Sequence, residues 1–154
     1  MRKRTVVTGI MLLILLSANA QNAKVVTAFN YMQSMDYESA IAPINEAITD
    51  AKTGGQAKTW FYRGAIYEQL YNDTLLRKKY PEALTEAIRS FKMALKIDPK
   101  NQWKEQLQQG LIECANFSYN EGVAPYNRKD FQSAYNNFRA AADVYAFLKD
   151  TLGV

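Results

Sequence analysis

Few side chains in this sequence can carry covalent chemistry. The chain of 154 residues has no His and a single Cys, Cys114. Without imidazole there is no Ser-His-Asp or Cys-His nucleophile and no His metal ligand. One thiol gives neither an intrachain disulfide nor a thiolate zinc site. Carboxylates remain as acid–base candidates. Glu82 and Glu86 lie at helical i,i+4 spacing, as a paired-carboxylate hydrolase would need. Arg89 and Lys92 follow nearby, and the four together read as a solvated charged face. Cys114 extends the apolar spacing of Leu107 and Leu111, the stripe of a buried helix face, with no His nearby to lower its pKa. The expectation is a non-enzyme, with no catalytic residue, no metal and no cofactor.

Charge points to a nucleic-acid partner only until its location is considered. Lys and Arg total 19 against 15 Asp and Glu, a formal +4 with a pI near 9.1. Arg2, Lys3 and Arg4 precede an apolar run from Val6 to Leu16, and Ala18-Asn19-Ala20 has the A-x-A form of a signal-peptidase site. The run is shorter than the roughly 20 residues of a membrane-spanning helix. Residues 1–20 therefore read as a secretory signal peptide, and its removal leaves 16 basic and 15 acidic residues, or +1. A near-neutral chain has no broad footprint for a phosphate backbone, so no nucleic-acid partner is expected. Arg77-Lys78-Lys79, the one tight basic run left, reads as a solvated loop face. Export to the periplasm or cell envelope of a Gram-negative bacterium follows, with membrane contact only through the transient signal peptide; one unpaired Cys fits that compartment.

Beyond the signal, apolar content of 48% with 22% charged residues suits a folded chain. Three segments share the pattern A-x3-apolar-x2-A: Ala40, Ile44 and Ala47; Ala87, Phe91 and Ala94; Ala134, Phe138 and Ala141. Their leading alanines are 47 residues apart both times. Small residues at i and i+7 with a large one between occupy one helix face and let a second helix approach closely. Asp36-Tyr37 and Asp130-Phe131 stand before the first and third sets, with Asp at the N-cap. Tyr80-Pro81-Glu82 precedes the second, with Pro where a first helical turn accepts it. Thr53-Gly54-Gly55 and Asp98-Pro99-Lys100-Asn101 mark turns. The periodicity predicts helices over 23–34, 37–51, 56–72, 80–97, 101–124 and 131–148, with Pro125 ending or kinking the fifth, and no strand.

Trp60, Gly64 and Tyr67 lie upstream of the second set with W-x3-G-x2-Y spacing, and Pro99 closes that unit. The chain thus resembles the tetratricopeptide repeat family, whose signature runs W-x2-L-G-x2-Y, A-x3-F and P. Arg63 stands where the signature has Leu, which exposes or remodels one packing slot. The first unit matches through Tyr31, Tyr37, Ala40, Ile44 and Ala47, and the third through Gly122, Phe131, Ala134, Phe138 and Ala141, with Pro125 in the Tyr slot. The resemblance implies an all-α, right-handed solenoid of three helix pairs, over about 21–54, 57–101 and 102–148. It needs an inserted loop of about 11 residues near Asn72 to Lys79 in the second pair and an extended first helix in the third, because the simple repeat is about 34 residues.

The resemblance also implies a concave surface lined by the first helix of each pair. Its slots are Val25, Phe29 and Met32, then Phe61, Ala65, Glu68 and Gln69, then Asn116, Tyr119, Val123, Tyr126 and Asn127. No Lys or Arg occupies the slots that form the basic carboxylate clamp of chaperone-tail binders, so that use is not expected. An aromatic, amide-rich groove of this kind would hold a protein or peptide partner. The expected function is a protein–protein interaction scaffold of the envelope. The alternative is a structural subunit of an envelope or outer-membrane assembly, in which the same rings only pack. Asp73-Thr74-Leu75 and Asp150-Thr151-Leu152 resemble the short O-glycosylation sites of exported Bacteroidetes proteins. Asp150-Thr151 also reads as the start of a further helix, so residues 149–154 are taken as the opening of a truncated repeat; the expectation is that the chain is an N-terminal fragment or that another chain covers its last face.

Overall fold

The computed structural model describes residues 23–98 and 100–153. The signal-peptide reading of residues 1–20 and the closing role of Pro99 lie outside the described residues. The described chain is all helical, with no strand: α1 (23–33), α2 (Tyr37–Thr49), α3 (Ala57–Asn72), α4 (Leu76–Lys79), α5 (Ala83–Lys96), α6 (Lys104–Asn127) and α7 (Phe131–Leu152). Among the described residues no helix is long and apolar enough to cross a membrane.

The helices form where the alanine pattern puts an apolar stripe, and they pack through it. Ala40, Ala47, Ala87, Ala94, Ala134 and Ala141 are all buried. Between them Ile44 and Phe91 fill the space that the small residues leave. α3 packs on α2 and α5, α5 on α6, and α6 on α7, with a smaller contact between α6 and α3. Ile66, Leu70, Leu107, Leu111 and Val144 complete the core.

Two of the turns have one construction. At the end of α1 the amide of Asp36 donates to the Tyr31 carbonyl and that of Met35 to Met32, with Met35 at φ 61°. At the end of α6 Asp130 donates to Pro125 and Lys129 to Tyr126, with Lys129 at φ 63°. Both are Schellman turns with a left-handed residue that is not glycine. In each, the next residue is Asp, whose carboxylate then accepts the amide of Ser39 or Ser133 and caps the following helix.

Helix ends depart from the sequence reading where a distant group intervenes. α6 runs through Pro125 instead of stopping at 124. Proline leaves the carbonyl of Glu121 without its helical donor. The Asn137 amide of α7 donates to that carbonyl at 3.4 Å. α2 stops at Thr49, because Asp50 accepts the amides of Lys52 and Thr53, and Thr53 Oγ1 donates back to the Ala47 carbonyl at 2.6 Å. The stretch read as an inserted loop contains the short helix α4, started by Asp73, which accepts the amides of Leu75 and Leu76. Asp150 and Thr151 do not begin another helix: they belong to the last turn of α7, which ends at Gly153 with φ 70°.

Candidate functional site

The residues expected to line one groove fall into two groups with different surroundings. In the first group the rings meet each other across helices. Phe29 of α1 stacks on Tyr62 of α3 with centroids 4.9 Å apart, and Phe61 stacks on Trp103 at 4.7 Å. Trp103 presents its edge to Tyr62 at 6.4 Å. Its backbone amide donates to Asp98, which fixes the start of α6. Val25 is buried, while Met32, Phe61 and Gln69 are half-buried. These side chains join α1, α3 and α6, and stacked pairs of this type contribute about 0.5–1.5 kcal/mol beyond their buried area. Phe29, Met32 and Phe61 are therefore packing residues rather than an open lining.

Glu68 is not a groove residue either. It is 7% exposed. Burial, and next the Glu113 carboxylate of α6, push its pKa up to about 8, so its carboxyl is held neutral well above the usual range. The same burial raises the Cys114 thiol, which removes it as a nucleophile.

Arg63 is buried, so the departure from the Leu signature remodels its slot and does not expose it. Its guanidinium pairs with Glu86 at 2.7 Å and donates to Asn45 at 2.8 Å and to Ser90 at 2.7 Å. It also lies over the Tyr67 ring, 4.4 Å from the centroid. Glu86 is thus a half-buried ion-pair partner between α3 and α5, not the exposed half of a carboxylate pair. Trp60 donates from Nε1 to the Gly54 carbonyl at 2.7 Å, tying α3 to the turn before it.

The basic run is likewise partly engaged. Arg77 lies over the Tyr71 ring and reaches Glu121 at 3.3 Å, while Tyr71 donates to Glu121 at 2.7 Å. Desolvation and the Glu121 carboxylate push the Tyr71 phenol up to about 12. Lys79 and Tyr80 both donate to Glu38, and the carboxyl of Glu38 is held below its usual range by those two bonds. The α4 segment is pinned at both ends by carboxylates from α2 and α6.

The second group is open. Tyr119 is 56% exposed and Tyr126 57%, and Asn116 and Asn127 are exposed beside them. Phe138, read from the sequence only as a packing residue, is half-buried and lies 5.2 Å from the Tyr119 ring. Tyr126 presents its ring edge to Phe131 at 6.0 Å. Tyr119, Val123, Tyr126 and Phe138 enclose a depression of about 310 Å³. The Asn116 carbonyl accepts from Tyr145 across to α7. Tyr31, expected to pack, is 38% exposed; its carbonyl serves the α1 turn instead.

The open face offers ring edges, phenol hydroxyls and amides, and no nucleophile. Such a surface can bury an apolar side chain and hydrogen-bond around it. Among the described residues no three Cys, Asp or Glu side chains converge as metal ligands would. No protein-family model, no curated protein and no solved structure matches the chain.

Two contributors escaped the sequence reading. Trp103 is not among the expected site residues, although Asp98 five residues earlier is a visible capping signal. Phe138 was assigned to packing by its spacing, and nothing local to it reveals that one side of the ring is uncovered.

Proposed function

We propose that the chain is a non-catalytic interaction scaffold of the tetratricopeptide kind that captures a protein partner on the open face of α6 and α7. The observation that carries this reading is the exposed depression of Tyr119, Val123, Tyr126 and Phe138. Rings so exposed are costly to leave in water and are enriched at interfaces.

Support for a repeated helix pair comes from matched contacts. Gly64 of α3 lies against Phe91 of α5 so closely that a Cβ would overlap the ring, and Gly122 of α6 lies the same way against Phe138 of α7. The Schellman turn followed by an Asp cap joins α1 to α2 and α6 to α7. Pairs α1/α2, α3/α5 and α6/α7, stacked in that order, would build a right-handed solenoid. Under this reading α4 is an insertion within the second pair. The groove narrows to its last third, because the rings of the first two pairs are spent on packing. Export to the cell envelope rests on the basic start, apolar run and A-x-A site of residues 1–20.

The test is capture from a periplasmic or outer-membrane fraction by the chain and by its Tyr119→Ser/Tyr126→Ser variant. The expected result is one partner lost by the variant with far-UV circular dichroism unchanged. Equal capture by both would reject the open face as the binding surface.

A further inference from the structure

We infer that the depression at Phe138 is the seat for an amphipathic α-helix that carries an aromatic residue and, seven positions on, a glycine. The inference rests on reading the chain as a repeat scaffold and names the partner's chemistry.

The pattern is written in the second helix pair, whose corresponding surface is occupied. By the shared glycine contact, Gly64 and Phe91 correspond to Gly122 and Phe138. Counting along α3 and α6 from those glycines, Phe61, Ala65 and Glu68 then correspond to Tyr119, Val123 and Tyr126. The surface of Phe61, Glu68 and Phe91 is covered by one helix, α6. Trp103 stacks on Phe61 at 4.7 Å. Gly110 comes so close to the far edge of Phe91 that a Cβ there would sit 2.8 Å from the ring. Glu113 reaches Glu68. Phe91 is consequently 2% exposed, held between Gly64 on one edge and Gly110 on the other.

The first pair is also covered by a helix, α3, where Tyr62 stacks on Phe29 and Val25 and Ile44 are buried, although Ile44 stands in place of the Phe and Gln69, not glycine, lies seven positions after Tyr62. Two of three equivalent surfaces thus receive a helix. On the third, the Gly122 edge of Phe138 is filled, and the depression opens beside the ring. A helix laid there as α6 lies on its own predecessor brings a residue without a Cβ over Phe138 and a ring over Tyr119. A residue with a Cβ at the first position would collide with the ring, which is what makes glycine part of the pattern.

The probe is a fluorescein-labelled peptide of residues 101–117 of this chain, which carries Trp103 and Gly110 in the required spacing. Its binding to the full chain is followed by fluorescence anisotropy. The expected result is saturable binding, weakened about tenfold or more by Gly110→Val in the peptide and by Val123→Glu in the protein. Val123 is 39% exposed, and far-UV circular dichroism should show its variant folded. Binding insensitive to Val123→Glu would mean that the peptide exchanges with the chain's own α6, and overturns the inference. Equal binding of a Gly110→Pro peptide, which cannot hold the helix, overturns it while leaving the scaffold standing. Absence of binding overturns it too. So does concentration-dependent self-association that Val123→Glu abolishes without any peptide binding, since the occupant is then a second copy. Loss of the helix with retained, Tyr119-dependent capture of an envelope partner would separate this failure from failure of the scaffold reading.

Discussion

Phe91 and Phe138 occupy the same place in a shared pattern, 47 residues apart, and each lies against a glycine of the helix it packs on. One is 2% exposed and immobilised between two glycines; the other is half-buried with a depression beside it. The two regions share the A-x3-F-x2-A frame and the facing glycine, while the residues between them differ. Among the described residues the difference is made by α6, whose Gly110 closes over the first ring, while no described helix lies over the open side of the second. Whether a ring in this pattern is enclosed or open therefore depends here on the neighbouring helix and not on the aromatic residue itself.

The most disruptive way to test the comparison is to delete each ring. Phe91→Ala empties a fully enclosed site, and is expected to cost about 3–5 kcal/mol in urea unfolding. Phe138→Ala removes a ring that already borders solvent, and is expected to cost less than half as much. Equal losses would mean that the two rings are equally embedded and would erase the contrast.

A gentler version adds one methyl group to the facing glycine. Gly64→Ala drives a Cβ into Phe91, whose far edge is blocked by Gly110, so the ring cannot yield. Overpacking of that kind costs about 1–3 kcal/mol. Gly122→Ala meets Phe138 at the same closeness, but that ring can turn toward the depression. The helix gains up to about 1 kcal/mol from replacing glycine, which offsets much of the remainder. Thermal unfolding should show a clear fall for the first variant and little change for the second.

How far the sequence carried follows the same division. The alanine spacing and the Asp caps were legible because they act within one or two helical turns: Ala40, Ala87 and Ala134 are buried, and Asp36 and Asp130 cap as expected. What depends on a distant partner was not. Pro125 reads as ending or kinking the helix, which runs two residues further to Asn127 while Asn137 of α7 donates to the carbonyl that proline frees. Arg77 and Lys79 looked solvated, and they are held by Glu121 and Glu38, each more than forty positions away. In the first two thirds of the expected groove the rings and Glu68 meet neighbouring helices for the same reason. Phe61 and Glu68 sit on the expected face of α3, but the extended α6 lies across it.

Glu68 provides a contrast in pH. In the covered region its carboxyl has a pKa near 8, while an unfolded chain would titrate it near 4.5. Between those values the folded state binds more protons than the unfolded one, so stability falls as pH rises through this window. Glu68→Gln keeps the shape without the charge. At pH 8 the variant should be clearly more stable than the parent, and at pH 5 the two should nearly coincide. Thermal unfolding across pH 5–8 reads this directly. A parent whose stability is flat over that range would show that water, not the α6 face, surrounds Glu68.

The smallest effect is expected at the position matching Glu68 on the open face. Tyr126 is 57% exposed, with its ring set edgewise to Phe131 and tilted toward Phe138. Tyr126→Ser removes a ring that touches only the margin of α7, and exposed substitutions of this sort stay within about 0.5 kcal/mol. The same substitution at Trp103 should cost several times more, because it removes a stacked contact to Phe61 and an edge contact to Tyr62, both on α3, at once. Denaturant midpoints of the two variants measure the difference. A large loss at Tyr126 would mean that its ring holds α6 to α7, in which case the open face is a packing surface and its claim to a partner fails.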